Sequence, residues 1–149
     1  MAGDLGRNGR RIVVGVDGSD SSRAALAWAA RQAALTGATV DAVIAWQVPA
    51  AYGYGFTMAP AIPDLGKVAG QVVEEAVKEA AGLVPDVEVR PVIVQDNPAQ
   101  ALLDEAKGAD LLVVGSRGHG GFAEALLGSV GQHCVHHAMC PVVVVRGAA

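Results

Sequence analysis

Aromatic side chains are scarce in this 149-residue chain: Phe, Trp and Tyr together make up 4% of it. Hydrophobic residues still reach 52%, so any core must be aliphatic, built from Ala, Val, Leu and Ile. Basic charge is short as well. Lys and Arg number 11 against 15 Asp and Glu, giving a formal net charge of -4. A nucleic-acid binder needs a basic face to neutralise phosphates, and this balance argues against one. No run of like charge forms a tail. The only cysteines are Cys134 and Cys140. Their spacing makes neither a disulfide framework nor a CxxC redox pair, so reduced thiols and a cytoplasmic location are expected. Long unbroken apolar runs are missing too. Ala42–Pro63 and Ala125–Val145 contain no Lys, Arg, Asp or Glu, but Pro49, Gly53, Gly55, Pro60 and Pro63 interrupt the first. Gln132, His133, His136, His137 and Pro141 interrupt the second. A membrane span needs about 20 predominantly apolar residues, so no membrane association is expected. The opening "MAGDLGRNGR" lacks the apolar segment of a signal peptide. One domain over residues 1–149 is expected, with 1–9 as a flexible N-terminal segment.

What is present is an alternation of short β-rich runs and longer helical patterns. "RIVVGVD" (Arg11–Asp17) reads as a buried strand, and "ATVDAVIAW" (Ala38–Trp46), "VEVRPVIV" (Val87–Val94), "ADLLVVG" (Ala109–Gly115) and "CPVVVVR" (Cys140–Arg146) as four more strands. Between the first two, Ser19 to Ser22 offer N-caps, Leu26, Ala29 and Ala33 form an apolar face, and Gly37 stops the helix. Asp64 caps a second helix through about Ala81. Asp96-Asn97-Pro98 starts a third that reaches about Lys107, with Pro in its first turn. A fourth follows the glycine stretch and runs to about Ala138. Strand and helix in strict alternation predict an α/β domain: an open parallel sheet with helices on both faces. Ligands of such sheets sit at the carboxyl ends of strands, at a topological switch point. Two loops leave such ends here, "GVDGSD" after the first strand and "GSRGHGG" after the fourth. If those strands are neighbours, both loops face one crevice.

The second loop belongs to "GSRGHGGFAEALLGS" (Gly115–Ser129), rich in glycine, with Arg117 and no lysine. Three phosphate-binding patterns compete for it. A P-loop requires GxxxxGK[ST]; Gly115 and Gly120 have the spacing, but Gly121 stands where the lysine belongs. The dinucleotide fingerprint matches Gly118 to Ala123 in letters only, because no Asp or Glu follows Glu124 to take a ribose. The third, G-x2-G-x9-G-[ST], fits Gly115, Gly118, Gly128 and Ser129 without a gap. Glycines let backbone turn through positive φ and approach a ligand closely. Successive N–H groups there form an anion-binding nest, and Gly128-Ser129 opens a helix whose free N–H groups favour a phosphate. Arg117 and the Ser129 hydroxyl add donors. By this reasoning valine at 115 or 128 blocks the ligand and leaves the fold intact.

With "VVGVDGS", "DLLVVGSRGHGG", "LLGSV" and "CPVVVVR" in that order and separation, nearly the whole chain resembles a universal stress protein of the ATP-binding type. The resemblance implies a Rossmann-like fold of the adenine nucleotide alpha hydrolase-like kind with strand order 3-2-1-4-5. It implies ATP, with Mg2+ as a possible companion, as the cofactor. It implies Asp17, beside Gly15, on the ribose and adenosine edge, and backbone near Ala45 on adenine. Val114, Gly115, Ser116, Arg117, Gly118, Gly120, Gly121, Gly128, Ser129, Val130 and Gly131 complete the expected site. It also implies a homodimer through the strand Pro141–Val145. One departure is Gly131, where the family often has Ser or Thr.

The function expected is a nucleotide-dependent regulator of stress response with no catalytic residue. A slow ATPase or an adenylyl transferase is the enzyme alternative. The transferase lacks support because "GVDGSD" holds no histidine pair, and only Arg117, His119 or Glu124 lies near enough to position water. A nucleotide-free interaction scaffold is the third possibility, favoured only by Gly131. His133, His136 and His137 share a helix face at i, i+3, i+4, a spacing that can present metal ligands; surface histidines are the expected reading, and no metal site is assigned. Trp46, Tyr52, Tyr54 and Phe56 gather around the loop Gln47–Pro63, as a flap or as a lid.

Overall fold

The computed structural model describes residues 10–48, 64–116 and 128–146. The segment 1–9, expected to be flexible, lies outside them. Five strands form one sheet: β1 (Arg11–Gly15), β2 (Thr39–Trp46), β3 (Val89–Gln95), β4 (Leu111–Gly115) and β5 (Val142–Val145). Among the described residues four helices alternate with them: α1 (Asp20–Thr36), α2 (Leu65–Leu83), α3 (Pro98–Glu105) and α4 (Ser129–His137). The strand order is β3-β2-β1-β4-β5 and every pairing is parallel. This is the parallel α/β sheet that the alternation of elements predicts, in the Rossmann-like order that the family resemblance implies. From β1 the chain steps outward to β2 and β3, then returns to β4 on the other side. The switch point therefore lies between β1 and β4.

Alternation along the strands fills two cores. Ile12, Val14, Val40, Ala42, Ile44 and Val113 point to one face, where Ala25, Leu26, Ala29, Ala30 and Ala33 of α1 and Val73, Ala76 and Ala80 of α2 cover them. Val13, Val43, Leu112 and Val114 point to the other, against Leu102 of α3 and Cys134 of α4. The cores are aliphatic, as the composition requires. Each fully buried Val or Leu contributes about 1.5–3 kcal/mol, and alanines let the helices lie close to the sheet.

Local signals set the element ends. Ser19 caps α1, accepting from the Ser22 N–H, and Gly37 ends it with φ 79°. Asp64 caps α2 through the Lys67 N–H and Asn97 caps α3 through the Gln100 N–H. The first strand is shorter than expected. The Val16 N–H still bonds Val43 O at 2.8 Å, but Asp17 and Gly18 already turn toward α1. Pro91 sits in β3, an edge strand, where a missing N–H is tolerated.

A polar clasp holds the amino edge of the sheet. Buried Asp41 on β2 accepts from Arg90 Nε at 2.8 Å and Arg11 Nη1 at 3.2 Å. Arg11 also donates to the carbonyls of Glu105 and Lys107 at the end of α3. Stripping a buried carboxylate of such partners costs about 3–5 kcal/mol. The clasp fixes the edge opposite the candidate site.

Candidate functional site

A parallel sheet puts all its strand ends on one edge, and the switch point puts the ends of β1 and β4 side by side. Gly15, Asp17, Ala45, Val114, Gly115 and Ser116 all lie on or beside that edge. The Ser116 N–H bonds Val145 O, and the Gly128 N–H bonds Ser116 O, both at 2.9 Å. The second bond ties the start of α4 to the end of β4, so Gly128, Ser129, Val130 and Gly131 join the group. Arg117, Gly118, Gly120 and Gly121 lie outside the described residues, as do His119 and Glu124.

The loop after β1 is already folded on itself. Asp17 Oδ1 accepts from the Ser19 N–H at 2.9 Å and the Ser19 hydroxyl at 2.5 Å. The Asp17 N–H in turn donates to Ser22 Oγ at 3.2 Å. Gly18 has φ 84°, a left-handed value that glycine adopts without strain. Asp17 is thus a turn-forming aspartate. It is also exposed at the carboxyl edge, in position to meet a ligand.

The loop before α4 is different. Gly128 is its N-cap and offers no side-chain hydrogen bond. The Gln132 N–H is the first to reach back, to Gly128 O at 2.9 Å. The N–H groups of Ser129, Val130 and Gly131 therefore lack intrahelical acceptors, and the helix dipole adds partial positive charge to them. Among the described helices α4 alone begins without a side-chain cap. That is a cradle for an anion. Gly131 is buried in this first turn, so its contribution is backbone.

The glycines work by a route that the sequence did not suggest. Gly15, Gly115 and Gly128 do not use positive φ; among the described residues Gly18, Gly37 and Gly108 do. A Cβ on Gly15 would lie 2.8 Å from Leu102 Cδ1. A Cβ on Gly115 would meet Ser21 Oγ and lie 2.8 Å from the Ser21 carbonyl carbon and oxygen. Backbone cannot swing away as a leucine can. Gly115 is therefore small so that α1 can pack on β4, and the expectation that valine there only blocks a ligand is corrected. The sequence marked Ser21 only as one of the candidate N-caps Ser19 to Ser22; its contact with Gly115 lies across the fold.

Trp46, at the end of β2, packs on α2: a Cβ on Gly66 would lie 3.0 Å from its Cζ2. Tyr52, Tyr54 and Phe56 lie outside the described residues. Burial raises the Cys134 thiol to about 11, with a smaller push from Cys140. Burial likewise raises Cys140, partly offset by Arg11. Both thiols are unpaired. Among the described residues no group of three His, Cys, Asp or Glu could hold a metal ion, and no helix is long and apolar enough to cross a membrane. An open groove between α1 and α2 has an apolar wall of Ala24, Ala27, Ala76, Ala80 and Leu83, and its charged residues pair with one another, Arg23 with Asp20 at 2.6 Å and with Glu79 at 3.8 Å.

The model of the Universal stress protein family matches residues 9–146. A universal stress protein of Mycolicibacterium smegmatis is 39% identical over 145 residues, covering 91% of this chain and 48% of that protein. One from Mycobacterium tuberculosis is 37% identical over 136 residues, covering 91% and 44%. The chain thus spans about half the length of the curated relatives it matches. A solved universal stress protein in complex with cAMP is 30% identical, with a TM-score of 0.68 over 93% of this chain and 98% of that one.

Proposed function

The chain belongs to the universal stress protein family, and on that premise we propose that it binds an adenine nucleotide, ATP with or without Mg2+, at the carboxyl edge between β1 and β4, as a regulatory protein and not as an enzyme. The similar protein solved with cAMP supports the ligand class. The observation that carries the reading is the uncapped start of α4, tied by the Gly128 N–H to Ser116 O. The phosphates accept there from the N–H groups of Ser129, Val130 and Gly131, and from the Ser129 hydroxyl. Arg117, Gly118, Gly120 and Gly121 extend the same cradle. Asp17, exposed at the carboxyl edge, takes the ribose. Gly15 and Val114 line the floor, and backbone at Ala45 reads adenine. Hydrogen bonds to a charged group contribute about 1.5–3 kcal/mol each, so a few support micromolar binding, about 8 kcal/mol, after the cost of association.

The same reading includes a cytoplasmic protein that works as a homodimer through the edge strand β5, with Pro141 leading into it. Sedimentation at micromolar concentration returns a dimer on this account; monomer alone contradicts it. For the ligand, protein purified without added nucleotide is denatured and the released small molecules are identified by mass spectrometry. Adenine nucleotide near one per chain is expected. An empty protein that also gives no heat on titration with ATP contradicts the proposal and favours an interaction scaffold.

A further inference from the structure

On α4, opposite in polarity to the nucleotide end, His133 and His137 stand one turn apart with ring centres 4.5 Å from each other and planes tilted by 37°. Both are exposed. With metal–nitrogen bonds of about 2.0–2.1 Å, two imidazoles bound side by side on one ion hold their ring centres roughly 4.5–5 Å apart. The pair is therefore already at chelating distance. His136 is turned away, 6.5 Å from His137 and edge-on to it. Among the described residues no third His, Cys, Asp or Glu joins the pair, so its donors are the two ring nitrogens. That donor set selects late transition metals over Mg2+ or Ca2+.

We propose that His133 and His137 form a two-histidine chelate for a divalent late transition ion such as Ni2+ or Cu2+, with water completing the shell. Two protein ligands are fewer than a closed structural zinc site uses, and an open tetragonal ion suits them. Once one imidazole has bound, the second acts at high effective concentration, so the pair binds far better than either ring alone. The chelate also cross-links the last turn of α4.

The test uses the full chain without a histidine tag. Ni2+ is the probe. Calorimetry at neutral pH is expected to find one Ni2+ per chain and no heat from Mg2+. His133→Ala and His137→Ala each weaken Ni2+ binding by at least about tenfold, the loss of the chelate. His136→Ala leaves it near the parent value. Circular dichroism checks that each variant remains folded, as surface substitutions should. Absence of Ni2+ binding overturns the proposal. So does equal weakening by all three variants, or binding that survives both His133→Ala and His137→Ala.

Discussion

Two helix starts at the same sheet edge have nearly the same backbone and opposite chemistry. Ser19, before α1, has φ -79° and ψ 161°; Gly128, before α4, has φ -67° and ψ 162°. Ser19 turns its hydroxyl back onto the Ser22 N–H at 3.1 Å and so satisfies its own helix. Gly128 has no side chain to do so. The glycine at 128 is therefore not needed for conformation, since any residue can adopt those angles. It matters for what it leaves unmade. α1 is closed by the protein; α4 begins without a side-chain cap.

The strongest way to break this contrast is to disturb the packing that brings the two starts together. Gly115→Val drives a side chain into the Ser21 backbone and is expected to cost about 1–3 kcal/mol or more by urea unfolding. Stability equal to the parent would contradict the assigned contact. Next in size, Gly128→Asp turns the α4 start into a copy of α1. A carboxylate then caps the free N–H groups and repels phosphate. Nucleotide affinity falls at least about tenfold, or 1.4 kcal/mol, while thermal stability holds or rises by a few tenths of a kcal/mol. Unchanged affinity in calorimetry would mean that phosphate does not use this helix start. The converse change, Ser19→Ala, costs about 1 kcal/mol of stability and leaves nucleotide affinity near the parent value; a large loss of binding would show that α1 also serves the ligand.

The smallest expected effect lies at the far side of α4. Burial favours the neutral Cys134 thiol in the fold and raises it to about 11 from the ordinary 9.0. Its contribution to stability is complete below pH 9 and is lost as pH rises toward 11. Thermal melts across that window fall for the parent and fall less steeply for Cys134→Ala. Identical slopes would remove Cys134 as a cause.

Much of the fold was legible because its signals are local. Ser19, Asp64 and Asn97 cap the helices that the sequence assigns to them, Gly37 ends α1, and apolar runs mark the five strands. The ordered glycine motifs pointed to the carboxyl edge of the sheet, where Gly115 and the start of α4 lie. The reason for individual glycines was not legible. Whether Gly115 is small for a ligand or for Ser21 depends on a contact between β4 and α1 that spacing cannot express. Asp41 was also missed. A lone acid in an apolar strand shows its purpose only when Arg11 and Arg90 arrive from the neighbouring strands. Strand β1 was read two residues too long because Val16 is buried like a strand residue although the chain is already turning.

The most direct test of the contrast is amide NMR of the 15N-labelled chain titrated with ATP. The account predicts large shifts for the Ser129, Val130 and Gly131 N–H signals, and small ones for Ser21, Ser22 and Arg23 at the capped start of α1. Equal shifts at both starts, or shifts confined to α1, would contradict it.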